Sequence, residues 1–153
     1  MQAQKKIVAR TLLTLLPQMN DFVDHISKKS NSLVSASFHS TMNAKVIYER
    51  ILDNIVRKDK IVDLRKRVRS LIKSLPRKFA LILWEHYMKK QSFTQIAEVQ
   101  NVTTRTIERR VAKAVELFAQ NLDSICINNF TFGSLVREFR WIKAELASQM
   151  QLT

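Results

Sequence analysis

Glycine is almost missing from this sequence: Gly133 is the single one in 153 residues. Proline is nearly as scarce, with Pro17 and Pro76. Strand-rich folds turn often, and their turns draw on both residues. The shortage therefore predicts an all-α chain. It also excludes a glycine-rich phosphate loop. One cysteine, Cys126, provides no disulfide framework, which suits a reducing cytoplasm. Between Ile125 and Ile127 it reads as a small buried apolar side chain. No apolar run approaches the ~18 residues of a membrane span, so no membrane partner is expected. Lys5 and Lys6 precede an apolar stretch in the manner of a signal peptide. That stretch holds Arg10 and Thr11 and has no small-residue cleavage site before Pro17, so targeting is rejected.

Chemistry-bearing clusters are missing too. His25, His39 and His86 are scattered, without cysteine or acidic partners at metal spacing. No nucleophile–base–orienter set can be assembled from local motifs. No enzyme, metal or cofactor is expected.

Acidic residues are also short: 13 against 26 Lys and Arg, a net charge of +13. An excess of this size favours a polyanion, nucleic acid or an anionic surface. It is concentrated over residues 41–122, which carry 18 basic and 8 acidic residues, whereas the last 31 balance three against three.

What is present centres on Ser92–Val115, SFTQIAEVQNVTTRTIERRVAKAV. It reads as two helices joined by a tight turn. Ile96, Ala97 and Val99 give the first an inward face. Gln100-Asn101-Val102 makes the corner, where Asn tolerates a left-handed conformation. Thr103 sits where an N-cap is wanted. Ile107, Val111, Ala114, Val115 and Phe118 hold the second helix down at helical spacing. Thr104, Arg105, Glu108 and Arg109 are left facing outward, with Arg110 and Lys113 to one side. A short helix offering such side chains from its N-terminal half is the helix-turn-helix solution to the major groove.

Elsewhere, Val8, Leu12, Leu15, Met19, Phe22 and Ile26 form a seam in steps of 4, 3, 4, 3 and 4. Pro17 falls inside it and should kink the helix or end it. The seam reads as internal core, with a homodimer through the N-terminal helices as the alternative. Ser27–Thr41, rich in Ser, Asn and Lys, reads as a loop or weak helix. A long helix should run from near Met42 to Ser74, with one stripe of Ile47, Ile51 and Ile55 and another of Ile61, Leu64, Val68, Leu71 and Leu75. Its outer face is basic: Arg57, Lys58, Lys60, Arg65, Lys66, Arg67, Arg69 and Lys73. Leu75-Pro76 closes it and opens a densely apolar helix through Phe79, Leu81, Ile82, Leu83, Trp84 and Tyr87. Lys89 and Lys90 are placed favourably near that helix's C-terminal end. Gly133 precedes a last helix, with Leu135, Phe139, Ile142 and Leu146 inward and Trp141 on another face.

Residues 75–118 resemble region 4 of the bacterial RNA polymerase sigma factors. The likeness rests on Leu75-Pro76, on Tyr87 eleven residues beyond the proline, and on Ser92-Phe93-Thr94-Gln95-Ile96-Ala97. Val102-Thr103, Ile107 and Ala112-Lys113-Ala114 follow without a gap. The resemblance implies that the second helix reads a promoter element in double-stranded DNA and that RNA polymerase core is a partner. Thr104, Arg105, Glu108 and Arg109 would read bases. Thr103, Arg110, Lys113, His86, Lys89 and Lys90 would lie nearer the backbone. Two departures stand out: Thr104-Arg105-Thr106 replaces the usual Arg-Glu-Arg-type run, and Asn101 replaces the turn glycine. The aromatic-rich region 2 is not found, since residues 1–70 hold only Phe22, Phe38 and Tyr48.

The chain is thus expected to be a helical bundle in three parts. Residues 1–72 form an N-terminal helical region, 73–122 a helix-turn-helix domain, and 123–153 a C-terminal helical extension. The expected function is transcription regulation by an alternative sigma factor or sigma-like protein. The alternatives are a stand-alone activator or repressor, or a basic module that binds an acidic protein without DNA.

Overall fold

The computed structural model describes residues 2–37 and 43–152. The expected helix start near Met42, the end of the expected loop, Phe38 and His39 lie outside them. Among the described residues the chain is all-α, with no strand. Seven helices run in order: α1 Gln2–Ser37, α2 Ala44–Ser74, α3 Arg77–Leu83, α4 Phe93–Gln100, α5 Thr104–Gln120, α6 Asn129–Glu138 and α7 Arg140–Gln151. A π-turn at Trp84–Met88 extends α3, and a 3-10 turn at Leu122–Ile125 follows α5. No helix among the described residues is long and apolar enough to cross a membrane.

The chain divides into two compact units, Pro17–Lys66 and Met1–Leu16 with Arg67–Thr153. In the first, the later part of α1 and the earlier part of α2 run antiparallel. Arg65 Nη1 donates to Asn20 Oδ1 at 2.7 Å, and the Arg57 guanidinium lies 5.9 Å from the Phe22 ring centroid. Met19, Val23, Ile26, Ile47, Ile61 and Leu64 are buried here.

The second unit has the larger core. Ala9, Leu12, Leu13, Leu15 and Leu16 are wholly buried, as are Ile107, Ala114, Phe118, Phe139 and Ile142. Thr11 is buried among them and keeps its hydroxyl satisfied by donating to the Ile7 carbonyl at 2.7 Å. Lys5 pairs with Asp123 at 3.3 Å, and Arg67 Nη1 donates to the Ile125 carbonyl at 3.0 Å. Burial pushes the Tyr87 phenol above its ordinary pKa, against the opposing pull of Arg10.

Several expectations are revised. Of the two outcomes expected at Pro17, a kink or a break, the break does not occur: α1 runs through it. A helical proline costs ~3 kcal/mol or more, and close packing of Leu12, Leu13, Leu15, Leu16 and Met19 on either side offsets it. The helix also continues to Ser37 through the expected loop, with Ser32 Oγ donating to the Lys28 carbonyl at 3.0 Å. Extending an existing helix is far easier than starting one. Ile55 leaves the inward stripe and is 43% exposed. Gly133 lies inside α6. Extended Phe139, at φ −114° and ψ 110°, separates α6 from α7, so the single last helix is two. Cys126 is exposed. It takes a left-handed conformation, φ 59°, where the chain folds back and the Ile127 N–H reaches the Leu122 carbonyl at 3.1 Å.

Candidate nucleic-acid interface

The helix-turn-helix is assembled from local backbone chemistry. Ser92 and Gln95 form a reciprocal capping box: Ser92 Oγ accepts from the Gln95 N–H at 3.1 Å, and Gln95 Oε1 accepts from the Ser92 N–H at 2.9 Å. The helix ends at Asn101, left-handed at φ 59° and ψ 42°. The Val102 N–H reaches the Ala97 carbonyl at 3.1 Å and the Asn101 N–H reaches that of Glu98 at 3.3 Å, the paired bonds of a Schellman corner. Two residues later Thr103 Oγ1 accepts from the Thr106 N–H at 3.3 Å and opens α5. The corner is therefore only as long as two helix caps placed back to back.

The corner is braced from both sides. Arg110 Nη1 donates to Gln100 Oε1 at 2.9 Å, tying α5 to the end of α4. His86 sets the start of α4: its ring stacks on Phe93 with centroids 4.5 Å apart, and Nδ1 lies 2.9 Å from the Gln91 carbonyl. A carbonyl only accepts, so Nδ1 carries the proton and Nε2 is the nitrogen left for a ligand. Lys90, left-handed at φ 55°, turns the chain out of the π-turn, and Lys89 and Lys90 are both exposed.

On α5, Ile107, Val111, Ala114, Val115 and Phe118 are buried as expected. Arg105, Glu108, Arg109, Arg110 and Lys113 are exposed, Thr103 is exposed at the cap, and Thr104 is half-buried. Arg105, Glu108 and Arg109 thus share one outward face at the N-terminal half of α5, with Thr104 partly covered beside them and Arg110 and Lys113 on the same half of the helix. Ala112, also exposed, lies among Arg105, Glu108 and Arg109 at helical spacing. The sequence pattern did not single it out, because an alanine fits either face. A small residue there lets the helix backbone approach a flat ligand closely.

One expected inward residue is not inward. Val99 is 83% exposed, while Ile96 and Ala97 are at 1% and 3%. At eight residues α4 has a narrow buried face, and Val99 falls on the far side from it. It stands open to solvent beside Gln100 at the turn.

A second feature of the same unit is a cleft of about 380 Å³ between the end of α2 and α3. Ile72, Leu75, Ala80, Leu81 and Trp84 form its apolar part, with Arg69, Lys73 and Arg77 at its edge. Among the described residues no group of three or more His, Cys, Asp or Glu is placed to hold a metal ion.

The chain matches no protein-family model, no curated protein and no solved structure.

Proposed function

We propose that this protein is a sequence-specific DNA-binding regulator of transcription that lays the N-terminal half of α5 in the major groove. One observation carries the proposal: Arg105, Glu108 and Arg109 project from the part of a capped helix that buries only Ile107 and Val111. The net charge of +13 draws in duplex DNA by releasing condensed counterions. Arg105 and Arg109 then donate to guanine O6 and N7, and Glu108 accepts from cytosine N4. Ala112 lies against a thymine methyl. Thr103, Arg110, Lys113, Lys89 and Lys90 take the phosphates on either side, and His86 joins them through Nε2 in its imidazolium form, since a neutral ring protonated at Nδ1 has no Nε2–H to donate.

The likeness of residues 75–118 to sigma region 4 supports a narrower role, as a sigma-like protein that brings RNA polymerase core to promoters. Selection from randomised duplexes tests the DNA reading, and a salt titration measures its electrostatic share. A recovered motif with a steep salt slope supports it; equal binding to all duplexes and to anionic vesicles overturns it. Promoter-dependent initiation by core polymerase only when this protein is added supports the narrower role. Without that result, a stand-alone activator or repressor is the form that stays.

A protein-binding role is favoured by the cleft beside Trp84. An apolar floor edged by three cations suits an acidic amphipathic segment. Loss of polymerase or partner capture on Leu81→Lys, with DNA binding intact, would assign the cleft to that role.

A further inference from the structure

The earlier part of α2 carries apolar side chains on two faces. Ile47 and Ile61, at 3% and 0% exposure, face the core of their unit. Tyr48, Leu52, Ile55 and Val56, at 63%, 41%, 43% and 52%, form a second stripe at helical spacing, open to solvent. Singly exposed apolar residues are ordinary, but four large ones on two turns of one helix make a patch of the size that marks an interface. A helix apolar on opposite faces is one that something covers.

The charge around the stripe says what covers it. From Lys45 to Asp59 the helix carries Lys45, Arg50, Arg57 and Lys58 against Glu49, Asp53 and Asp59, nearly neutral in a chain of net charge +13. A polyanion gains little there, and a second copy is not repelled. Most of the pattern is also symmetric about Leu52, Ile55 being the one stripe member without an apolar mate, since it mirrors Glu49. Tyr48 lies four residues before it and Val56 four after; Lys45 lies seven before and Asp59 seven after. Lys45 and Asp59 are both exposed.

We infer that this stripe is the self-association face of the protein, pairing α2 with α2 of a second copy, antiparallel, about a two-fold axis at Leu52. That arrangement sets Leu52 on Leu52, Tyr48 on Val56 twice, and Lys45 on Asp59 twice, the self-complementarity an isologous contact demands. A parallel pairing would instead set Lys45 on Lys45 and Asp59 on Asp59. The face runs about 21 Å along the helix at 1.5 Å per residue. One helix pair of that length buries less than the ~1,200 Å² of a standard stable complex, so the dimer is weak and concentration-dependent. The inference does not depend on DNA binding.

Sedimentation equilibrium of the full chain from about 1 to about 200 µM tests it, a range spanning micromolar association. The expected result is a mass rising from one copy to two. Leu52→Glu places two carboxylates on the axis and should weaken association by about tenfold or more. Lys45→Asp should weaken it more mildly. Lys45→Asp combined with Asp59→Lys should restore it, which a merely misfolded variant would not do. Circular dichroism checks that each variant remains helical. A chain that stays monomeric throughout, association that ignores Leu52→Glu, or a double swap that fails to restore it would overturn the inference.

Discussion

Over Thr104–Lys113, α5 buries Ile107 and Val111 and turns its charged side chains to solvent. Over the remaining residues to Gln120 it buries Ala114, Val115, Phe118 and Ala119, and its exposed surface shrinks to little more than Gln120. One helix thus holds at one end and reaches at the other. The difference teaches how an exposed half-helix can project rigidly from a small core. The buried half resists bending, the N-cap fixes the start, and the Gln100–Arg110 bond stops the free half from swinging. Substitutions that damage stability and those that damage recognition should therefore separate along α5.

The largest effect belongs to the holding half. Phe118→Ala should cost ~3–5 kcal/mol, because a wholly buried aromatic leaves a cavity that the core cannot close. Urea unfolding followed by circular dichroism measures it. A loss under ~1 kcal/mol would mean that the two halves differ less than their burial implies.

Arg109→Ala is the opposite case. Stability should stay within about 0.5 kcal/mol of the parent, as for an exposed position away from any cap or core. Discrimination at one base pair should fall by ~1–3 kcal/mol in a randomised-duplex selection. Unchanged base preference would remove Arg109 from the reading face.

Thr103→Ala tests the joint between the reader and the corner. Removing the cap should cost ~1 kcal/mol in unfolding. The Thr103–Thr106 hydroxyl contact at 2.9 Å is lost with it. The smallest effect is expected of Lys113→Ala, which should weaken binding uniformly across sequences and flatten the salt slope by ~0.9. A sequence-dependent loss would move Lys113 from the phosphates to the bases.

The helix-turn-helix was legible because its signals are local and agree with one another. Asn at the left-handed corner, Thr at the cap, and an apolar series through Phe118 each act within a few residues. The all-α class followed from one glycine and two prolines for similar reasons. Legibility failed where the deciding contact is distant in sequence. Pro17 is tolerated because of what packs around it, not because of its neighbours in the chain. Cys126 is the exception with a local cause: it looked apolar between two isoleucines, yet it sits at a left-handed corner closed by the nearby Leu122–Ile127 bond, which flanking hydrophobicity does not reveal. Val99 and Ile55 fit an apolar period, and only tertiary placement says which side of a short or two-faced helix meets the core. The outward placement of Arg105, Glu108 and Arg109 was anticipated from the helical spacing, with Ala112 added by its position alone.

The unit that carries the corner is closed by residues 9–16, although the rest of it begins at Arg67. Those residues, apolar where they pack apart from Thr11, leave the ribosome well before the surfaces that receive them. Until translation catches up, the growing chain displays a greasy strip with nowhere to dock, a natural client for holding chaperones. Expression yield should accordingly respond more to the speed of synthesis than to anything in α5.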